Sequence, residues 1–311
     1  AAAVPGLGKA AELEAITFRT MPSGELRQSD LLELDAAIRD RLAAGCVGAV
    51  VTQGTDTLEE TAFTLDLLRG GEEPVVVTGA MRNPSLAGPD GPANLLAAVQ
   101  VATAAQCLDL GAVVVFADQI HSGRFVRKTH TSSIATFRSD PIGPLGWVSE
   151  GVPRVAMRPT DRLWIDGRGL SASPPVAVLG LSPGDDGRLL RQVFELGYRG
   201  LVVEALGGGH VPAAAVASLE ELATLMPVIL ASRTGAGEIL RRTYGFPGSE
   251  EDLLRRGLIA AGTLDGAKAR VLLSLALTAG ALPADVARAF EAFGLPPSPG
   301  VDGSRPFDIT Q

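Results

Sequence analysis

Short apolar runs alternate with stretches of helical periodicity along most of the chain. The run Val47-Gly48-Ala49-Val50-Val51-Thr52 is rich in β-branched residues and free of charge, the pattern of a strand buried on both faces of a parallel sheet. Before it, Leu31, Leu34, Ile38 and Leu42 share one face of a predicted helix from about Asp30 to Ala44. After it, Gly54 breaks the run, and Leu58, Ala62 and Leu65 recur at helical spacing with Glu59, Glu60 and Asp66 between them. The pattern repeats: a strand over 74–79, a helix from near Asp90 to about Ala105, and a strand over 111–117. These β-α-β steps set Gly54 to Asp56, Gly79 to Arg82 and Asp118 to Thr129 at one edge of one sheet. Open α/β sheets bind ligands there, beyond the carboxyl ends of their strands.

From about Val152 the pattern weakens into sequence containing Pro153, Pro159, Pro174 and Pro175, and alternation resumes at Val176. Strands are predicted over 176–181, 200–205 and 227–232, with helices over 187–197, 213–225, 268–279 and 284–292. The Pro-rich stretch from Leu295 reads as a surface arm. The fold class is therefore α/β with two domains: an N-terminal α/β domain over 1–152 with a flavodoxin-like parallel sheet, a connector over 153–174, and a smaller C-terminal α/β domain over 175–311.

Composition narrows the choice of partners. With 46% hydrophobic and 20% charged residues, the 311-residue chain has the make-up of an ordered globular protein. A net charge of −8, with no basic patch, argues against nucleic acid or an anionic membrane as the main partner. The longest apolar runs are too short to span a bilayer, and Ala1 to Gly6 has no charged n-region or apolar h-region. Cys46 and Cys107 read as small hydrophobic residues in helical patterns. His121, His130 and His210 lack ligand spacing with carboxylates or cysteines, so no metal is expected. Gly207-Gly208-Gly209 lacks the spacing of a dinucleotide fingerprint, and no cofactor is expected.

The basic residues are nearly all arginine. Lys9, Lys128 and Lys268 are the only lysines, which makes each a pointer to a specific need. A hydroxyl becomes a nucleophile or a proton relay only if a neighbour takes its proton, and a lysine amine can do so. Thr55, Asp56 and Lys128 supply such a set, with Asp56 free to orient the amine or to hold a substrate ammonium. Two plainer readings stand beside it. Asp56 and Thr57 are helix N-cap types, each with Glu three residues on, as in a capping box; Lys128 in isolation reads as a solvated surface lysine.

The stretch Thr52-Gln53-Gly54-Thr55-Asp56-Thr57-Leu58-Glu59-Glu60-Thr61-Ala62 resembles the second signature of bacterial-type L-asparaginases. The resemblance continues in order through Gly79-Ala80-Met81-Arg82, Asp90-Gly91-Pro92-Ala93-Asn94-Leu95, Arg124 to Thr129, Gly143-Pro144-Leu145-Gly146, Gly262-Thr263-Leu264 and Lys268 to Leu273. It implies a hydrolase that turns the side-chain amide of asparagine, and often glutamine, into the acid and ammonia through a threonine acyl-enzyme. By position it assigns Thr55, Lys128 and Asp56 to a proton relay, with Asp56 also meeting the substrate α-amino group. Gly54 and Ala80 line the site, the Ala80 backbone facing the scissile amide. Ser23 matches the serine that binds the α-carboxylate, although a turn-forming serine after proline explains it equally. Glu250, near an acidic helix start at Ser249, matches a glutamate that reaches the α-amino group from a neighbouring subunit. His210 stands where the family has an Asn-rich turn. The implied assembly is a homotetramer built from dimers, located in the cytoplasm, a mature periplasmic form being the alternative.

One departure bears on mechanism. The family's N-terminal strand ends in a T-G-G-T motif, its first threonine usually the acylated one, followed by a mobile loop carrying a tyrosine. Neither occurs here, and Ala1 to Leu7 resembles the segment beyond that loop. The expectation is a chain incomplete at its start, the alternatives being a strand supplied by another chain and a true truncation. Two other functions remain open on sequence grounds: a non-catalytic amino-acid-binding protein that lacks the nucleophile, and an ammonia-supplying subunit of a tRNA-dependent amidotransferase.

Overall fold

The computed structural model describes residues 4–160, 162–171 and 174–294, so the Pro-rich stretch beginning at Leu295 lies outside the described residues. The chain forms two compact units, 1–169 and 170–311.

In chain order the first unit contains α1 (Leu7–Ala10), α2 (Gln28–Ala43), β1 (Ala49–Thr52), α3 (Leu58–Leu68), β2 (Val75–Thr78), α4 (Gly91–Ala102), β3 (Ala112–Phe116), β4 (Gln119–Ser122), β5 (Arg127–Lys128), β6 (Phe137–Arg138), β7 (Gly146–Ser149) and β8 (Val152–Val155). Six strands make one sheet in the order β1-β2-β3-β4-β7-β8. This sheet is mixed, a correction to the parallel sheet expected from the sequence. β1, β2 and β3 are parallel, but β4, β7 and β8 add by antiparallel pairing. The change of direction occurs in a two-residue turn, where Ala117 and Asp118 both have positive φ, 48° and 62°, as the twist of a tight hairpin requires.

Alternation along the parallel strands fills two cores. Val75, Val77, Val114 and Phe116 pack with Leu58, Ala62 and Leu65 of α3 and Ile38 of α2. Val76, Val113 and Val115 face the other way, onto Ala97, Ala98 and Val101 of α4. Each face of the sheet is thus covered by helix, the condition that lets its strands read as unbroken apolar runs. β1 contributes to both cores through Val51 and Val50, yet its residues are only partly buried and Thr52 is exposed. It is one edge of the six-stranded sheet, β8 being the other.

The connector is shorter than 153–174. β8 is part of the first sheet, Ile165 N donates to Leu67 O at 2.6 Å, and Arg162 Nη2 donates to Arg69 O at 2.7 Å. Trp164 lies so close to Gly70 that a Cβ there would sit 2.5 Å from the indole. These contacts tie 153–169 to the first unit.

The second unit contains β9 (Val176–Gly180), α5 (Leu190–Val193), β10 (Gly200–Ala205), α6 (Ala213–Leu225), β11 (Val228–Ser232), α7 (Glu250–Arg255), β12 (Ile259–Ala260), α8 (Gly266–Thr278) and α9 (Pro283–Glu291). Its four strands are parallel in the order β12-β11-β10-β9. Leu201, Val203, Val228 and Leu230 form its core with Ala215, Leu219 and Leu222 of α6. The helix expected over 187–197 is a single turn, flanked by Gly187 and Gly197 at φ of 72° and 91°. Among the described residues no helix is long and apolar enough to cross a membrane.

Candidate active site

The carboxyl end of β1 leads through Gln53 and Gly54 into a single 3₁₀ turn, Thr55–Thr57, and then into α3. Neither Asp56 nor Thr57 caps that helix. Thr57 occupies the N-cap position without a side-chain capping bond, and its Oγ1 instead donates to Ser23 O at 2.9 Å. Asp56 faces Lys128: Lys128 Nζ donates to Asp56 Oδ1 at 2.7 Å and to Thr55 Oγ1 at 3.0 Å. The Lys128 side chain is 18% exposed and that of Asp56 79%, so the amine is sheltered while the carboxylate opens to solvent. Of the plainer readings, helix capping and a solvated lysine, neither describes these side chains.

Lys128 reaches Thr55 because its backbone is held as well as its amine. β5 and β6 form a small antiparallel ladder, separate from the main sheet, in which Lys128 pairs with Phe137. Lys128 N donates to Glu59 Oε2, on the first turn of α3. The same signature therefore supplies the hydroxyl, the carboxylate that meets the amine, and the carboxylate that fixes the lysine's main chain.

Ser23 is buried in a 3₁₀ turn against Gly54. A Cβ on Gly54 would lie 2.9 Å from Ser23 Oγ, so glycine is required there for close approach rather than for unusual dihedrals, its φ being −63°. The loop after β2 comes equally close: a Cβ on Gly79 would lie 2.5 Å from Gln53 O. Ala80 follows in this loop, whose shape is set by α4. Asp90 accepts from Met81 N and Arg82 N, both at 2.9 Å. Asn94 Nδ2 donates to Gly79 O at 3.0 Å, and its Oδ1 accepts from Ala117 N at 3.0 Å. Ser23, Gly54, Thr55, Asp56 and Lys128 thus form one connected set, with the Ala80 loop against its floor.

Glu250 belongs to the second unit and is wholly buried. Its Oε1 accepts from Thr243 N and Tyr244 N, each at 2.8 Å, and its Oε2 lies 3.1 Å from His210 Nε2. Burial alone would raise its pKa; the amides of Tyr244 and Thr243 and the His210 ring more than offset this and hold the carboxyl below its usual range. The His210 ring makes edge contacts with Tyr244 and Phe246, with centroids 5.0 and 5.2 Å away. Among the described residues no cluster of three or more His, Cys, Asp or Glu is arranged to hold a metal ion.

Three residues that shape the site carry no role in the sequence reading: Glu59, Asp90 and Asn94. Glu59 looks like one more polar position on an amphipathic helix. Asp90 and Asn94 are separated by four residues at a helix start, a spacing that puts both on the face toward the preceding loop.

A hydroxyl, an amine and a carboxylate converging beyond the strand ends of an α/β sheet form a set able to move a proton to or from the hydroxyl, the equipment of a hydrolase-type site. Comparison with known proteins makes the class specific. The family descriptions "Asparaginase, N-terminal" and "Glutaminase/Asparaginase C-terminal domain" match residues 1–161 and 175–290. A probable L-asparaginase of Deinococcus radiodurans is 38% identical over 292 residues, 93% of this chain and 88% of that protein. An L-asparaginase of Bacillus licheniformis is 35% identical over 260 residues, 83% of this chain and 80% of that one. The crystal structure of a probable cytoplasmic L-asparaginase from Campylobacter jejuni superposes with a TM-score of 0.86 at 32% identity, covering 93% of this chain and 91% of that one. The chain belongs to the asparaginase family.

Proposed function

We propose that this protein hydrolyses the side-chain amide of L-asparagine to the acid and ammonia, without a cofactor, with L-glutamine as the second substrate to be tried in the same assay. The observation that carries the reading is the approach of Lys128 Nζ to both Thr55 Oγ1 and Asp56 Oδ1. With Lys128 in its amine form, the Thr55 hydroxyl proton passes to Nζ and Asp56 balances the charge that develops. The Thr55 oxygen so activated bonds to the amide carbon, the C–N bond breaks, and ammonia leaves carrying the proton from Nζ. Water then cleaves the ester and releases aspartate.

Ser23, with Gly54 packed against it, is assigned to the substrate α-carboxylate, Asp56 to its α-amino group, and the Ala80 backbone to the scissile amide. These roles are supported by the connected set in the first unit and by the family's motif order. Glu250 is assigned to the α-amino group from a neighbouring subunit, its carboxylate held by His210 and the 243–244 amides. A homotetramer built from dimers, supported by family membership, and a cytoplasmic location, supported by likeness to the probable cytoplasmic L-asparaginase of Campylobacter jejuni, complete the proposal. The relatives include a probable periplasmic L-asparaginase of Haemophilus influenzae, 33% identical over 296 residues.

Ammonia release from asparagine by the purified protein tests the reading. Activity should fall by about 10²–10⁴-fold in Thr55→Ala and in Lys128→Met. Tight aspartate binding without turnover in the unsubstituted protein would establish a binding protein instead. Light scattering on the eluted peak tests the tetramer, and fractionation tests the compartment.

A further inference from the structure

The β5–β6 ladder that carries Lys128 is only two rungs long and is not hydrogen-bonded into the six-stranded sheet as a strand pair. So short a ladder does not fix its own position. Glu59 holds Lys128 N from α3, and Phe137, the partner of Lys128, packs on Phe116 of β3 with ring centroids 4.8 Å apart. A third attachment comes from the sheet itself. His121, on β4 opposite Val114 of β3, is hydrogen-bonded through Nδ1 to Ser139 Oγ at 2.9 Å, and Ser139 is the residue directly after β6. Both are buried, His121 at 1% and Ser139 at 3% exposure.

The bond is directional where the other two contacts are tolerant. A tilted ring contact, at an interplanar angle of 50°, has no fixed partner atoms, and a carboxylate accepts over a wide arc. A buried imidazole–hydroxyl bond fixes one distance and one direction. Burial also pushes the His121 ring down to about 4, so it is neutral near pH 7 and adds no positive charge to a region that already holds Lys128.

We propose that His121 is a positioning residue for the hydrolytic reaction: its hydrogen bond to Ser139 sets the height of β6, and through the Phe137–Lys128 pair it sets the distance from Lys128 Nζ to Thr55. This rests on the assignment of Lys128 to the proton relay. The bond acts on proton transfer; Ser23 and Gly54 are held by Thr57 and by their own close packing.

The test uses three variants of the full chain. His121→Leu and Ser139→Ala lose the bond; His121→Asn keeps a polar atom near the Nδ1 position and retains it. We expect kcat for ammonia release to fall about tenfold or more in the first two, with KM little changed, and to recover in His121→Asn. The second readout needs no activity. With only three lysines in the chain, trace acetylation followed by mass spectrometry gives the reactivity of Lys128 relative to Lys9 directly. That ratio should rise about threefold or more in His121→Leu and Ser139→Ala and stay at the wild-type value in His121→Asn. A ratio unchanged in the first two variants, or His121→Asn as impaired as His121→Leu, overturns the proposal. A wild-type protein that releases no ammonia defeats the proposed activity instead, while the labelling ratio still decides whether His121 positions Lys128.

Discussion

Replacing His121 by asparagine removes a titrating ring from the first unit, and the effect on stability should change with pH. In the unfolded chain the ring titrates near 6.5; in the fold, burial pushes it down to about 4. Between these values the unfolded state takes up a proton that the native state refuses. The stability His121 contributes is therefore complete above 6.5 and is lost as pH falls through about 4. At about 1.4 kcal/mol per pH unit, the gap is worth about 3 kcal/mol. Asp35 works in the opposite sense. Burial raises its carboxyl from 3.8 to about 6, against the pull of Arg39 and Arg69 and with a further rise from Asp166. Its contribution is present below 3.8 and lost as pH rises through about 6, again about 3 kcal/mol in size. The two act in opposite directions, and each single variant should unmask the other. Asp66, also raised by burial and partly countered by Arg162, adds to the Asp35 side.

Both tryptophans, Trp147 and Trp164, lie in the first unit, so their fluorescence during urea unfolding reports that unit alone. The unfolding free energy of wild type minus that of His121→Asn should drop by about 3 kcal/mol from about pH 7.5 to about pH 4. The same difference against Asp35→Asn should rise by a similar amount. Parallel curves for wild type and His121→Asn, within about 0.5 kcal/mol throughout, would refute the argument.

Three further outcomes are expected. Gly54→Ala places a methyl 2.9 Å from Ser23 Oγ, and the forced separation should raise KM for asparagine about tenfold with a smaller effect on kcat; an unchanged KM in steady-state assays removes Ser23 from substrate binding. Glu59→Ala takes away the acceptor of Lys128 N and should lower kcat about 10- to 100-fold, while Glu59→Gln, which keeps an oxygen there, should lose much less. Glu250→Ala leaves His210 and the Thr243 and Tyr244 amides without their buried acceptor, which should destabilise the second unit by about 3–5 kcal/mol. Tyrosine signals report this unit, because Tyr198 and Tyr244 are the only tyrosines.

The parallel half of the first sheet is legible in sequence because helices cover both its faces, so Val75 to Val77 and Val113 to Val115 read as unbroken apolar runs. The antiparallel half is not. Gln119 to Ser122 is a strand with only Ile120 strongly apolar, and its reversal rests on Ala117 and Asp118, neither of which is the glycine or asparagine that usually marks a tight hairpin turn. The short β5–β6 ladder gives no periodic signal at all, since two residues have no period. At the site, Thr55, Asp56 and Lys128 stand out because a hydroxyl, a carboxylate and a rare lysine form a recognisable chemical set. Asp90 and Asn94 do not, because their work is done on main-chain groups of a loop some ten residues away in sequence. The same applies to 162–165, whose attachment through Leu67 O and Arg69 O depends on backbone atoms that every residue type offers.

The buried carboxamide of Asn94 holds Gly79 O with one end and Ala117 N with the other. The turn after β2 and the turn after β3 therefore share a single latch. Loosening either one swings the carboxamide and takes the hydrogen bond from the other turn, so the two are expected to move in one concerted step. Exchange at Gly79 and at Ala117 measured by relaxation dispersion should fit one rate constant, and Asn94→Ala should split it into two.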